Sequence, residues 1–411
     1  MKYTYILLVA LVVFSCKEAS KEKEPKSEEE SPKLAQTTYK AELKIDDAVS
    51  LPFLFKVVNE TKIEVYNAEE VITVDEVSYK NDSVFIKMPV FEGIINAKIE
   101  GENLSGLFIM PEKDREMIFT ASPNSNRFEE TKPASEDISG VWETTFSPNS
   151  EEDRYIAKGI FKQNGQKITG TFRTTTGDYR FLEGVINGNE FEMSTFDGAH
   201  AFYFRGKIKE DTLKGVFFSG NHWSEPFEAK RNAAYELPDE NTLTYLKEGY
   251  DTVEFSFPDE NGTMVSLSDE RFKNKVVVLQ IMGTWCPNCL DESKYLAQYY
   301  KEHSKDLEII GLAFEYVKTE EKAFANINRL KERIGITYPI LLAQVGSSSK
   351  AKANDKLPML NHVLSYPTTI ILDKNAKVRK IQTGFNGPAT GEKYTKFKAE
   401  FESLIANLKV E

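Results

Sequence analysis

Seven residues, Val276–Met282 (VVVLQIM), form a near-continuous apolar run that leads through Gly283 and Thr284 into Trp285-Cys286-Pro287-Asn288-Cys289. Beyond the motif, Leu290, Tyr295, Leu296 and Tyr299 recur at helical spacing. A strand apolar on both faces has to be covered on both faces, and a helix that follows it directly predicts an α/β layer fold. The next elements keep to that plan. Leu307–Phe314 reads as a second buried strand, and Phe324, Ile327, Leu330 and Ile334 as a helical stripe ending at Gly335, with Tyr338–Leu342 as the next strand. Thr369–Leu372 and Lys377–Thr383 predict a hairpin across Asp373-Lys374-Asn375-Ala376. Tyr394, Phe397, Phe401, Leu404, Ile405 and Leu408 mark a final amphipathic helix, so that the α/β unit spans residues 245–411. An extra stretch, Gln344–His362 with Ser347-Ser348-Ser349, either shapes a groove or is a passive loop.

Upstream of Pro238 the pattern is different. Residues 39–235 read as short strands rich in Val, Ile, Phe and Thr, separated by Asn-Gly, Gly-Asn and Asn-Asp turn signals. The region also repeats itself. Met88 with Phe91-Glu92-Gly93 returns as Met193 with Phe196-Asp197-Gly198, and Leu104, Gly106 and Phe108 return as Leu213, Gly215 and Phe217. Phe119 and Ala121 return as Phe227 and Ala229. The register predicts two related antiparallel β modules, 39–135 and 136–235, arranged as a barrel or sandwich. Gly140-Val141-Trp142 opens the second module in a way that weakly resembles lipocalin-like barrels. A ligand cavity and a filled barrel serving as spacer or docking surface both fit that pattern. His200, His222 and Trp223 lie among these strands without a third ligand at metal-binding spacing, so no metal site is expected.

The first 38 residues carry a different message. Lys2 precedes an apolar run, Tyr5–Phe14, that is too short to span a bilayer and is followed by Ser15 and Cys16. Residues 1–15 thus read as a signal peptide, and Val13-Phe14-Ser15-Cys16 resembles a loose bacterial lipobox with Cys16 as the lipidated residue. Residues 16–38, rich in Lys, Glu, Ser and Pro, cannot bury enough surface to fold and read as a tether. The chain as a whole, with 411 residues, exceeds one ordinary core, and its net charge of -12 excludes a polyanionic partner such as nucleic acid.

Three cysteines are too few for a disulfide scaffold, and two of them share one motif. Cys286 stands where a helix begins. Unpaired N–H groups and the positive end of the helix dipole favour a thiolate there, which makes Cys286 the expected attacking sulfur. Pro287 suits the first helical turn, and the spacing brings Cys289 close enough to displace a mixed disulfide, as the resolving sulfur. A zinc half-site would need a second Cys or His pair that the chain lacks. A peroxidatic cysteine would need Pro and Thr or Ser where Leu279 and Gly283 stand.

Met282-Gly283-Thr284-Trp285-Cys286-Pro287-Asn288-Cys289, Glu292 and Tyr366-Pro367-Thr368-Thr369 together resemble the TlpA and ResA group of membrane-tethered thioredoxin-like oxidoreductases, over about residues 250–411. The resemblance implies that Pro367 is a cis-proline facing the cysteines, and that Trp285, Pro287, Asn288, Tyr366, Pro367 and Thr368 meet the substrate. Glu292 matches the acidic residue of the group and could shuttle protons at the second sulfur; a solvated surface glutamate is the alternative. Two positions depart from the pattern: Lys294 replaces a common proline, and Gln280 stands where thioredoxins carry a buried carboxylate. The resulting expectation is a cell-envelope thiol-disulfide oxidoreductase, without cofactor, that reduces disulfide-containing envelope proteins. A membrane electron-relay protein would supply the electrons, and the lipid at Cys16 would hold the chain to a membrane, facing the periplasm or cell exterior. The competing expectation is a ligand- or partner-binding envelope lipoprotein whose β modules bind while the redox domain is accessory.

Overall fold

A computed structural model describes residues 32–411; the signal-peptide and lipidation expectations, Cys16 included, lie outside the described residues. The end of the expected tether 16–38 is instead folded: Leu34 is buried, Thr37 O accepts from Val57 N, and Thr38 opens the first strand. The first module has nine strands: β1 (Thr38–Lys44), β2 (Ser50–Asn59), β3 (Lys62–Asn67), β4 (Glu70–Val74), β5 (Glu76–Lys80), β6 (Ser83–Lys87), β7 (Ile94–Glu100), β8 (Asn103–Met110) and β9 (Arg115–Pro123). They pair in the order β4-β3-β2-β1-β9-β8-β7-β6-β5, open between β4 and β5. The second module has eight: β10 (Gly140–Phe146), β11 (Tyr155–Asn164), β12 (Lys167–Thr174), β13 (Leu182–Asn187), β14 (Glu190–Phe196), β15 (Ala201–Lys209), β16 (Thr212–Ser219) and β17 (Trp223–Arg231). These close into an up-and-down barrel through pairing of β10 with β17.

The sequence repeat has a structural counterpart in strand register. Leu104 faces Ala121 and Gly106 faces Phe119 across β8 and β9, just as Leu213 faces Ala229 and Gly215 faces Phe227 across β16 and β17. The glycine is required by the ring opposite: a Cβ on Gly215 would lie 2.6 Å from the Phe227 ring. Inside the barrel Phe146, Phe172, Phe204 and Phe227 are buried and pack on one another, and buried Trp142 lies under the Arg231 guanidinium. The barrel interior is thus filled by side chains.

The sheet does not build its core alone. Phe196 projects from the barrel into it, stacked on Phe53 at 4.2 Å and edge-on to Phe108 at 5.0 Å, while Asn67 accepts from the Phe196 N–H and donates to its carbonyl. Buried Arg127 ties the same seam, donating to Pro52 O, Ser194 Oγ, Tyr66 O and Asn67 Oδ1. The two modules therefore share one apolar seam.

The C-terminal unit begins with a small hairpin, β18 (Ser256–Pro258) and β19 (Met264–Ser266). Its five-stranded sheet contains β20 (Val276–Met282), β21 (Leu307–Phe314), β22 (Ile340–Gln344), β23 (Thr368–Leu372) and β24 (Val378–Thr383), in the order β22-β21-β20-β23-β24. β22, β21 and β20 are parallel, β23 runs antiparallel to them, and β24, antiparallel to β23, returns to their direction. Helices α1 (Pro287–His303), α2 (Glu320–Ile334) and α4 (Glu392–Val410) complete the layers of a thioredoxin-like fold. Thr319 caps α2 by accepting from Lys322 N, and Gly335 ends it at φ +73°, a left-handed conformation that glycine adopts without strain. The extra stretch contains a short helix, α3 (Lys350–Lys356), capped by Ser349.

Candidate active site

The site is assembled at the point where β20 gives way to α1. Cys286 is the N-cap of α1, its sulfur accepting from Cys289 N at 3.4 Å, and Pro287 occupies the first helical position, where no N–H is needed. The Cys286 thiol also donates to Tyr366 O at 3.4 Å, and the Tyr366–Pro367 peptide bond is cis. Cys286 is 8% exposed and Cys289 wholly buried behind it. Cys286 is thus recessed rather than freely exposed. Burial, reinforced by the hydrogen bond and charge of Cys286, pushes the Cys289 thiol well above its ordinary range.

Behind the sulfurs lies a chain of polar side chains in an apolar layer. Glu292 is 1% exposed; it accepts from Gln280 Nε2 at 2.8 Å and from Thr369 Oγ1 at 2.6 Å. Gln280 in turn accepts from Ser293 Oγ at 3.0 Å and donates to Cys289 O at 3.4 Å. Burial pushes Glu292 up to about 7, although both hydrogen bonds pull it down. The surface-glutamate alternative is therefore excluded. Gln280, at the strand position of a thioredoxin's buried carboxylate, here orients a carboxylate contributed by the helix.

The remaining sequence-selected residues are distributed around the sulfurs. Trp285 packs edge-on against Tyr366 and Tyr316 at 5.5 and 5.8 Å, and its indole N–H donates to Phe314 O. Asn288 donates to Asp178 O at 3.3 Å, so its amide is already engaged with the barrel. Thr368 is fully buried and its hydroxyl donates to Ser365 O, which makes it a support of the Pro367 loop rather than a surface for a partner.

Several residues at the site escaped sequence reasoning. Glu315, directly after β21, is fully buried and accepts from Thr284 N and Thr284 Oγ1, both at 2.7 Å. Burial pushes it up to about 7 as well. A charge directly abutting the apolar run Ile309–Phe314 was the available signal. Arg180 of the barrel reaches α1, donating to Asp291 Oδ2 at 2.6 Å and to Pro287 O at 3.2 Å, and pairs with Glu70 and Asp197. Burial works against its charge, but Asp291, Glu70 and Asp197 together hold its proton more firmly than in a free arginine. Asp178 accepts from Gly387 N at 2.6 Å, and burial pushes it up to about 6.

A thioredoxin-like sheet with two sulfurs at the start of its first long helix defines a redox domain of the thioredoxin class. Residues 247–396 match the Redoxin family. Over 140 residues, 34% of the chain, the sequence is 33% identical to the thiol-disulfide oxidoreductase ResA of Bacillus subtilis, covering 69% of that protein. Over 141 residues it is 30% identical to ResA of Geobacillus thermodenitrificans, covering 72% of it. Among solved structures, a thiol-disulfide oxidoreductase from Bacteroides fragilis aligns with a TM-score of 0.27 at 23% identity, covering 36% of this chain and 99% of that one. A DsbF homologue from Corynebacterium diphtheriae aligns with a TM-score of 0.30 at 19% identity, over 41% of this chain and 97% of that one. The chain belongs to the ResA family of thiol-disulfide oxidoreductases, and its thioredoxin-like domain is the redox enzyme.

Proposed function

We propose that the chain is a cell-envelope oxidoreductase that reduces protein disulfides through Cys286 and Cys289. The Cys286 thiolate attacks one sulfur of a substrate disulfide, forming a mixed disulfide and releasing the other sulfur, which takes up a proton. Cys289, deprotonated by Glu292, then attacks Cys286 Sγ. The second substrate thiol leaves, and the two electrons gained by the substrate are balanced by a Cys286–Cys289 disulfide. Glu292, held near 7, can carry either protonation state at neutral pH, which suits it to this transfer.

The observation that carries this reading is the pairing of a capping sulfur at the α1 start with a wholly buried second sulfur beside a buried carboxylate. Insulin and glutathione disulfide exchange on the wild type, Cys286→Ser and Cys289→Ser tests it. Cys286→Ser should be inactive and Cys289→Ser should accumulate the mixed disulfide; undiminished turnover by Cys286→Ser rejects the mechanism.

Reduction needs an outside donor, which the reading assigns to a membrane electron-relay protein. A reduction potential near that of thioredoxin, about -270 mV, supports the reducing direction, and one near the oxidising end, about -120 mV, overturns it. The reading places the lipid on Cys16, upstream in the chain of the modules 39–135 and 136–235 and the redox domain 245–411. Cys16→Ser should then move the chain from the membrane to the soluble fraction.

A further inference from the structure

The barrel loop Thr174–Arg180, between β12 and β13, lies against three segments that surround Cys286. Ser365, just before the cis peptide, donates from its hydroxyl to Thr176 O at 2.8 Å. Gly177 forms a parallel bridge with Phe385, and a Cβ on Gly384 would stand 2.6 Å from the Thr176 carbonyl carbon. Asn288 donates to Asp178 O within the motif itself. Three polar anchors hold the flanks of the loop: Arg173 Nε donates to Asn386 Oδ1 at 2.9 Å, Gly387 N to Asp178 Oδ2 at 2.6 Å, and Arg180 to Asp291 Oδ2 at 2.6 Å. The loop also closes on itself, through Thr174 N donating to Gly177 O at 2.7 Å.

These contacts occupy the approach that an extended substrate segment would use to pair beside Pro367. They also fix the loop: lifting it would separate buried Arg180 from Asp291 and strip buried Asp178 of the Gly387 N–H. On another flank, Lys113 of the first module lines a pocket with Thr284 and Trp285 whose volume is about 30 Å³, room for little more than one water. Cys286 itself is only 8% exposed beside the loop, so a partner can meet a small part of it.

We propose that the loop Thr174–Arg180 is a fixed wall that sets substrate choice, admitting disulfides presented end-on, as small molecules or at the tip of a protruding segment, and rejecting those that must lie along the sheet edge. This rests on the reading that Cys286 is the attacking sulfur. Asp178→Ala, which frees the loop from Gly387, should raise the ratio of kcat/KM for insulin over that for glutathione disulfide by about tenfold or more, the scale of a lost steric discrimination. An unchanged or lowered ratio in a folded variant overturns the wall. A measurement that needs no loop variant is hydrogen exchange on Cys289→Ser, free and trapped as its glutathione mixed disulfide. Amides 174–180 should exchange equally slowly in both states; about tenfold faster exchange in the trapped state would make the loop a lid and overturn the proposal. Failure of wild-type Cys286 to react with either disulfide would instead reject the attacking-sulfur reading beneath it.

Discussion

Replacing Glu292 by glutamine separates the cost of a buried charge from its use. The glutamine carbonyl can accept from Gln280 Nε2 while its amide donates to Thr369 Oγ1, so both hydrogen bonds of the carboxylate have replacements. What disappears is ionisation. Glu292 is held near 7 in the folded chain, against 4.5 for a free glutamate, so the folded state binds the proton more tightly than the unfolded state. The resulting stabilisation is complete below about 4.5 and is lost as pH rises through 7, because the slope of stability with pH is negative wherever the native state holds more protons. At about 1.4 kcal/mol per pH unit, the full loss is about 3 kcal/mol. Glu292→Gln carries no such loss. In urea titrations its advantage over the wild type should grow from pH 4.5 to pH 8 by about 3 kcal/mol. Turnover should move the opposite way, falling on the order of a hundredfold and losing the inflection near pH 7, since no group remains to take the Cys289 proton. A stability difference that stays flat between pH 4.5 and 8 would refute a charge forced into an apolar layer, whatever the effect on turnover.

Three further outcomes concern packing between and within the modules. Phe196→Ala removes the ring that fills the nine-stranded sheet and should cost about 3 to 5 kcal/mol in urea unfolding; a loss below about 1 kcal/mol would show that the sheet stands without it. Arg180→Met strands Glu70, Asp197 and Asp291 without their cation, and should destabilise by about 3 to 5 kcal/mol at pH 8. Its penalty should shrink at pH 5, where carboxylates deprived of a partner regain protons; an equal penalty at both pH values would assign the loss to packing. Gly215→Ala drives a methyl to within 2.6 Å of the Phe227 ring and 2.5 Å of Arg205 O, and a cost of about 1 to 3 kcal/mol should appear as a lower Tm.

The C-terminal unit was legible because each element carries its own pattern. Val276–Met282 and Leu307–Phe314 are strands on those bounds, and α2 ends at the glycine the stripe pointed to. The β repeat was legible for a related reason, since a glycine faces a phenylalanine across the strands at two places 109 residues apart. Barrel closure was not, because the strands of the open sheet and of the closed barrel alternate alike. The opening falls at Val74-Asp75-Glu76, where Asp75 and Glu76 pair with Arg333, and Glu76 also with Arg329, on α2. The break thus lies where another domain packs against the sheet, a contact that no pattern within the strands encodes.

The same reasoning separates the parts of the active site. Cys286, Cys289 and Glu292 lie within seven residues on one helix start, so spacing alone predicts that they meet. Arg180 and Asp291 are 111 residues apart, and no periodicity in either segment signals the pairing. Yet that pair and its neighbours determine what lies beside the sulfurs, because α1 turns three polar residues inward in succession. Asp291 meets the barrel, while Glu292 and Ser293 meet Gln280 of β20. A helix that buries polar side chains on both of these sides cannot belong to a free-standing thioredoxin-like unit with a solvated α1 flank. The barrel is thus a structural component of the redox site, and removing it would expose Asp291 to water while leaving the Glu292 network in place.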